Sequence, residues 1–312
     1  MLGALIIDKP EGLTSHDVVA RVRRVTKIRR VGHAGTLDPF ATGVLVVCIG
    51  RATRLVQFLV GLDKEYVATV RLGFATDTQD RTGKQITPLR SSKELSLEQL
   101  HQVLDQFTGT QLQTPPMFSA KKVGGEKLYR AARAGREVER AAVNITVQSL
   151  ELIEEGESLF IANDDGTCDF RVRVCCSSGT YVRTLAHDIG ERLGVGAHLA
   201  ELRRTRVGHF DLANALTLED LDRMTTDDFH NRLISPTDML THLPIVRLNE
   251  EQTKRVINGR SILLSEDEAS AVERAASPLR LCDDARSLVA VGDYDSRLKV
   301  VSPRVVLGVE GV

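Results

Sequence analysis

The chain has 312 residues, 42% of them hydrophobic and 27% charged, with a formal net charge of −1. These values are those of a folded globular protein of one large or two ordinary domains, without the overall basic excess of a general nucleic-acid binder. Five cysteines with no C-x-x-C spacing argue against a disulfide framework or zinc ribbon and for reduced, mostly buried thiols. No run of about 18 apolar residues occurs. The opening MLGALIIDKP has no basic leader and too short an apolar run for a signal peptide, so the expected location is the cytoplasm.

In chain order, Leu5 to Ile7 read as a short buried strand and Lys9-Pro10-Glu11-Gly12 as a turn, because proline fixes φ and glycine tolerates positive φ. Thr14 or Ser15 can cap a helix whose apolar positions include Val18, Val19, Val22 and Val25. Its polar face opens a basic cluster of Arg21, Arg23, Arg24, Lys27, Arg29 and Arg30. Val31 to Thr42 reads as a loop, and Val44 to Ile49 as an apolar strand. In Glu65–Leu72, Tyr66, Ala68, Val70 and Leu72 alternate with polar partners, the pattern of a half-buried strand. Ser96 and Gln99 form a capping box for a helix running to Phe107, with Leu100, Val103, Leu104 and Phe107 as its stripe and Gly109 as its stop.

Thr114 to Gly135 opens on Pro115-Pro116 and holds Gly124-Gly125 among lysines, which predicts a mobile basic loop leading into a helix at Tyr129–Ala134. A second basic cluster lies here: Lys121, Lys122, Lys127, Arg130, Arg133, Arg136 and Arg140. Acids gather between Glu151 and Asp169. Charge alone leaves two readings open, a basic binding face on a neutral protein or ordinary solvated helix faces. Asp169 to Cys176 alternates as a strand, Ser177 to Thr180 turns, and a helix follows from Val182 to Leu193. The irregular mixture predicts an α+β domain. The texture changes between Pro236 and Pro244, and strand-like pieces recur at Ser261–Leu264, Ser287–Gly292 and Leu298–Val301. The expected division is 1–242 and a small β-rich unit over 243–312.

Gly32-His33-Ala34-Gly35-Thr36-Leu37-Asp38-Pro39 is the densest chemical signal. A carboxylate between a glycine-rich loop and a proline has a fixed backbone and an exposed side chain, which suits a nucleophile or base; it equally suits a turn whose aspartate caps the next segment. In Gly179-Thr180-Tyr181-Val182-Arg183 an arginine stands at a helix start, where the helix dipole disfavours it unless a carboxylate partners it. Tyr66 and Tyr181 could stack on an extruded base or simply pack. His33 has no second histidine at ligand spacing, so a metal site is not expected. Asp77 and Asp80 sit among Thr and Gln as turn residues. Leu202 to Arg206 is a basic strip that fits phosphate contact or solvated surface. There is no phosphate-binding loop or G-x-G-x-x-G, so no nucleotide cofactor is implied.

Taken together the motifs are more specific. Asp8-Lys9-Pro10, Thr14-Ser15-His16-Asp17, the Arg30–Pro39 run, Lys64-Glu65-Tyr66, Pro115-Pro116 with Ser119-Ala120 and Lys122, Tyr129 with Ala132-Arg133, Gly179–Arg183, Gly196–Leu199 and Leu202–Thr205 follow in the order found in one family. The chain resembles the bacterial TruB-type tRNA pseudouridine synthases over almost its whole length. The resemblance implies an α+β pseudouridine synthase fold with a mixed, largely antiparallel sheet, and a small PUA-like domain at the C-terminus. Glu266–Ala276, acidic and Ala-rich, departs from the pattern of that tail.

By the same resemblance Asp38 matches the catalytic aspartate, Arg183 its paired arginine, and Tyr66 the tyrosine that stacks on the flipped base. Tyr181 and Leu202 match the uracil pocket, His33 the residue entering the space vacated by the flipped nucleotides, and Lys9 and Lys122 further substrate contacts. The basic segment near 115–136 matches a thumb-like insertion that closes over RNA. The implied partner is tRNA, modified at position 55 of its T arm by a monomer without cofactor or metal. Two other classes stand beside this reading: a non-catalytic tRNA-binding or folding protein on the same scaffold, and a nucleotidylyltransferase, to which Gly-His-Ala-Gly is faintly similar. The joint presence of Asp38, Tyr66 and Arg183 argues against the first; the missing second histidine motif and phosphate loop argue against the other.

Overall fold

The computed structural model describes residues 1–119, 121–123, 125–153, 160–273 and 278–308. The chain opens with strand β1 (Gly3–Lys9), helix α1 (Ser15–Thr26), β2 (Val31–His33), β3 (Thr42–Ile49), the short helix α2 (Val56–Leu59) and β4 (Lys64–Leu72). Helix α3 (Leu97–Gln106), β5 (Gly109–Gln113), a hairpin of β6 (Lys122–Val123) and β7 (Glu126–Lys127), and helix α4 (Leu128–Arg133) follow. Then come β8 (Val143–Leu152), β9 (Ile161–Ala162), β10 (Cys168–Cys176), helix α5 (Val182–Leu193), β11 (Ala197–Val207) and β12 (Phe210–Asp211).

These strands form one mixed sheet in the order β1-β3-β11-β4-β10-β8-β5, with β2 on β3, β9 on β10 and β12 on β11. Among the described residues its only parallel strand pair joins β3 to β11, at Arg203–Thr42 and Arg204–Gly43. The sheet is therefore α+β in type and largely antiparallel, as expected. A second sheet takes β13 (Ile245–Arg247), β14 (Ile262–Leu263), β15 (Leu279–Cys282), β16 (Leu288–Asp295) and β17 (Val300–Val306) in the order β13-β15-β16-β17-β14, consistent with a PUA-like unit. Helices Glu250–Ile257 and Glu266–Glu273 flank it.

The hydrophobic pattern explains the layers. β1 and β3 are apolar at nearly every position because both faces are covered. Leu5, Ile7, Leu45, Val47 and Ile49 pack with Val18, Val19 and Val22 of α1. Ala4, Ile6, Val44, Val46 and Cys48 face the other way, into a core shared with Cys282, Leu288, Val291 and Val305 of the second sheet. β4 and β10 instead alternate: Tyr66, Ala68, Val70, Phe170, Val172 and Val174 pack under α3 and α5, while Arg71 and Asp169 pair bidentately on the open face. α3 keeps its capping box between Ser96 and Gln99, and buries Leu100, Val103 and Leu104 at about 1.5–3 kcal/mol each.

Three stretches differ from the sequence reading. Val31–His33 is a strand, drawn onto β3 by Val31–Ile49 and His33–Val47 pairing despite its glycine. The segment read as one basic loop contains the β6–β7 hairpin; Ala120 and Gly124 in it lie outside the described residues. The Leu202–Arg206 strip lies within central strand β11, where Leu202 and Arg204 are buried and Arg203 and Arg206 keep partly exposed side chains. Arg204 is 1% exposed, which no local pattern of arginines suggests. Among the described residues no helix is long and apolar enough to cross a membrane, and no cluster of three or more His, Cys, Asp or Glu is placed to hold a metal.

Candidate active site

The segment between β2 and β3 carries Asp38, and its backbone is tied on both sides. Ala34 N–H donates to Val46 O at 2.9 Å, Ala41 N–H to Asp38 O at 3.1 Å, and Gly12 N–H to Pro39 O at 2.8 Å. Ser15, buried on α1, accepts from Leu37 N–H at 2.9 Å and donates to Leu37 O at 3.2 Å. No helix follows for the carboxylate to cap. It faces Arg183 instead, with Nε 2.9 Å from Asp38 Oδ2.

Arg183 sits in the first turn of α5 with a side chain only 5% exposed. Its remaining donors go to Thr78 O at 2.9 Å, Phe118 O at 2.9 Å and Asp80 Oδ2 at 3.4 Å. Asp80 does have the turn role expected of it, accepting from Thr82 N–H at 2.9 Å and Thr78 Oγ1 at 2.8 Å. Its contact with Arg183 was not legible, because it depends on how a distant turn folds over α5. Burial pushes the Asp38 carboxyl above the usual carboxylate range; Arg183 pulls it down and Asp80 pushes it up.

A cavity of about 280 Å³ opens beside this pair and is lined by Asp38, Arg183, Tyr66, Tyr181, Leu202, Lys64 and Arg204 among others. Tyr66 and Leu202 are each 8% exposed and give it apolar walls on β4 and β11. Tyr181 is the N-cap of α5, and its backbone is clamped by Gln113 at the end of β5: Tyr181 N–H donates to Gln113 Oε1 at 2.8 Å and Gln113 Nε2 to Tyr181 O at 3.0 Å. A second cavity of about 620 Å³ meets the first at Asp38 and Arg183, and includes Thr14, His16, Phe118 and Tyr129.

Five of the expected residues therefore converge: Asp38, Arg183, Tyr66, Tyr181 and Leu202. His33 stands outside that lining, on β2, edge-on to His16 with ring centroids 5.4 Å apart. Burial and the nearby His16 lower its pKa. Lys9 lies outside that lining as well: it is 0% exposed, and its ammonium donates to Pro10 O at 2.9 Å, Leu13 O at 2.8 Å and Pro39 O at 3.3 Å, which braces the Asp38 segment. Burial brings its pKa down to about 8. The side chain of Lys122 lies outside the described residues. Sequence reasoning missed Gln113, and missed Arg204, whose guanidinium donates to Val44 O at 2.8 Å, Gly35 O at 3.2 Å and Thr36 O at 3.3 Å. The one local signal for Arg204 is Gly43 opposite it: a Cβ there would stand 2.1 Å from Arg204 O.

The chain is similar to known proteins over most of its length. The model for the TruB family pseudouridylate synthase N-terminal domain matches residues 23–182, and that for the tRNA pseudouridylate synthase B C-terminal domain matches 183–241. The chain is 46% identical to tRNA pseudouridine synthase B of Geobacillus kaustophilus over 265 residues, 85% of this chain and 92% of the relative. It is 39% identical to that of Bacillus velezensis over 306 residues, 98% and 97% of the two chains. Among solved structures, an H/ACA RNP bound to a substrate RNA containing 2′-deoxyuridine superposes with a TM-score of 0.71 at 25% identity, covering 99% of this chain and 86% of that one. A Cbf5-Nop10-Gar1 complex gives a TM-score of 0.67 at 28% identity, covering 99% and 84%.

Proposed function

The chain belongs to the TruB family of pseudouridylate synthases, and on that premise we propose that it isomerises the uridine at position 55 in the T arm of tRNA. The observation that carries the reading is the Asp38–Arg183 pair, 2.9 Å apart, at the wall of a cavity shared by Tyr66, Tyr181 and Leu202. Isomerisation breaks N1–C1′, turns the uracil and forms C5–C1′, so the freed base must be held away from water. Tyr66 stacks on it, and Leu202 and Tyr181 confine it. A uridine inside folded RNA must first leave its stack, at a cost of a few kcal/mol; His33 fills part of the space left behind. Asp38 acts ionised, either attacking C1′ or removing the hydrogen on C2′. Arg183 aims it and favours its charged form. Lys122 and the basic segment around it close over the RNA backbone.

The test is incubation of the protein with unmodified tRNA, without ATP or added metal, followed by mapping of pseudouridine by position. The expected result is one new pseudouridine at T-arm position 55, abolished when that uridine is replaced by cytidine. Modification elsewhere would overturn the site assignment, and no modification would overturn the activity on tRNA.

A further inference from the structure

We propose that Lys64 and Arg204 form a cationic end to the cavity, which takes up negative charge from the uracil as it leaves C1′. Both residues line the same cavity as Asp38. They flank Tyr66: Lys64 lies two positions before it on β4, on the same face, and Arg204 is its cross-strand partner on β11. Lys64 is 8% and Arg204 1% exposed. Among the described residues neither makes an ion pair. Lys64 Nζ donates to Val60 O at 2.7 Å and Leu62 O at 2.5 Å, and Arg204 donates to the three carbonyls already named and hydrogen-bonds the Tyr66 hydroxyl. Two buried cations held by neutral oxygens, with no carboxylate in contact, are costly to fold, and burial and then Arg204 bring Lys64 down to about 8, with Asp63 opposing them. Cys176 beside it offers no counter-charge, since burial pushes its thiol up to about 12.

The inference rests on the proposed reading of the cavity and follows from charge balance. Before reaction the negative charge is on Asp38. When N1–C1′ breaks, its electron pair leaves on the base as the uracil monoanion. C1′ regains a bond either from an Asp38 oxygen or from the C2′–H pair, whose proton passes to Asp38. On either route Asp38 becomes neutral and the base becomes the anion. One charge has moved within the cavity, from Asp38 to the base. Cations in the lining that meet the base stabilise the separated state more than the ground state, which is what lowers a barrier. When C5 captures C1′, the charge returns.

The experiment compares wild type, Lys64→Met and Lys64→Arg on T-arm RNA carrying uridine or 5-fluorouridine at the target. Single-turnover N1–C1′ cleavage and RNA affinity are both measured. Fluorine at C5 stabilises the leaving anion by itself, so it should substitute in part for the lost cation. Lys64→Met is expected to slow cleavage of uridine about 10²-fold, and that of 5-fluorouridine at least several-fold less, with RNA affinity unchanged. Lys64→Arg, which keeps the charge, should recover most of the rate. Equal losses on the two RNAs in a folded Lys64→Met variant would overturn the proposal and leave Lys64 as a brace for the Val60–Leu62 turn. If Lys64→Met does not fold, Lys64→Gln carries the same comparison, and a loss that is blind to fluorine again overturns it. Wild-type protein inactive on uridine RNA would instead overturn the reading of the cavity itself.

Discussion

Arg183 shares one guanidinium between two carboxylates, Asp38 at 2.9 Å and Asp80 at 3.4 Å. Asp80 is 4% exposed and raises the pKa of Asp38, while Arg183 lowers it. The two partners therefore predict opposite pH effects. In Arg183→Met the carboxyl of Asp38 loses its cation and its aim, so turnover should fall about 10²-fold or more and the acid limb should move toward neutral pH. In Asp80→Asn the amide oxygen still accepts from Thr82, but the repulsion is gone. The pKa of Asp38 falls and the acid limb moves to lower pH, with a smaller loss of rate. Single-turnover pseudouridine formation across pH, for both variants and wild type, reads the signs directly; limbs moving the same way would disprove the arrangement.

Asp38→Asn keeps the shape of the side chain and removes its charge. Its turnover should fall by at least ~10³-fold, the size seen when a reacting group is deleted, while tRNA affinity stays within a few-fold. Substantial product from this variant would remove Asp38 from the chemistry.

Gly43 has φ +102°, and an added Cβ would stand 2.1 Å from Arg204 O. Gly43→Ala should cost about 2–5 kcal/mol from backbone strain and overpacking together. It should also part β3 from β11, because Gly43–Arg204 is one of the two register pairs joining them. Thermal unfolding gives the stability, and an unchanged midpoint would contradict the close approach.

RNA binding through the basic segment predicts affinity that falls with salt by counterion release. Arg130 is exposed on α4 and Lys121 half-buried beside β6. The double substitution Lys121→Ala with Arg130→Ala should lower the slope of log K against log salt by about 1.5 if each meets one phosphate. Titrations at several salt concentrations measure it, and an unaltered slope would put the RNA on another face.

Local pattern was enough for the elements whose stability is local. α3 was legible from Ser96, Gln99 and its apolar stripe, and α5 from the turn at Ser177–Thr180 and the run to Leu193. Asp38 and Arg183 were legible as candidates because glycine, proline and helix-start positions restrict what a side chain can do there; Tyr66 was singled out by the resemblance. What the tertiary structure alone decided is where charge goes. That Lys9 braces Pro39, that Arg204 is core rather than surface, and that Asp80 serves more than its own turn depend on segments distant in sequence arriving within hydrogen-bond reach. A buried charge is tolerated only where partners from several elements satisfy it together. No periodicity in one segment records those partners, so Arg204 reads like its solvent-facing neighbours until β3 and β11 are laid side by side.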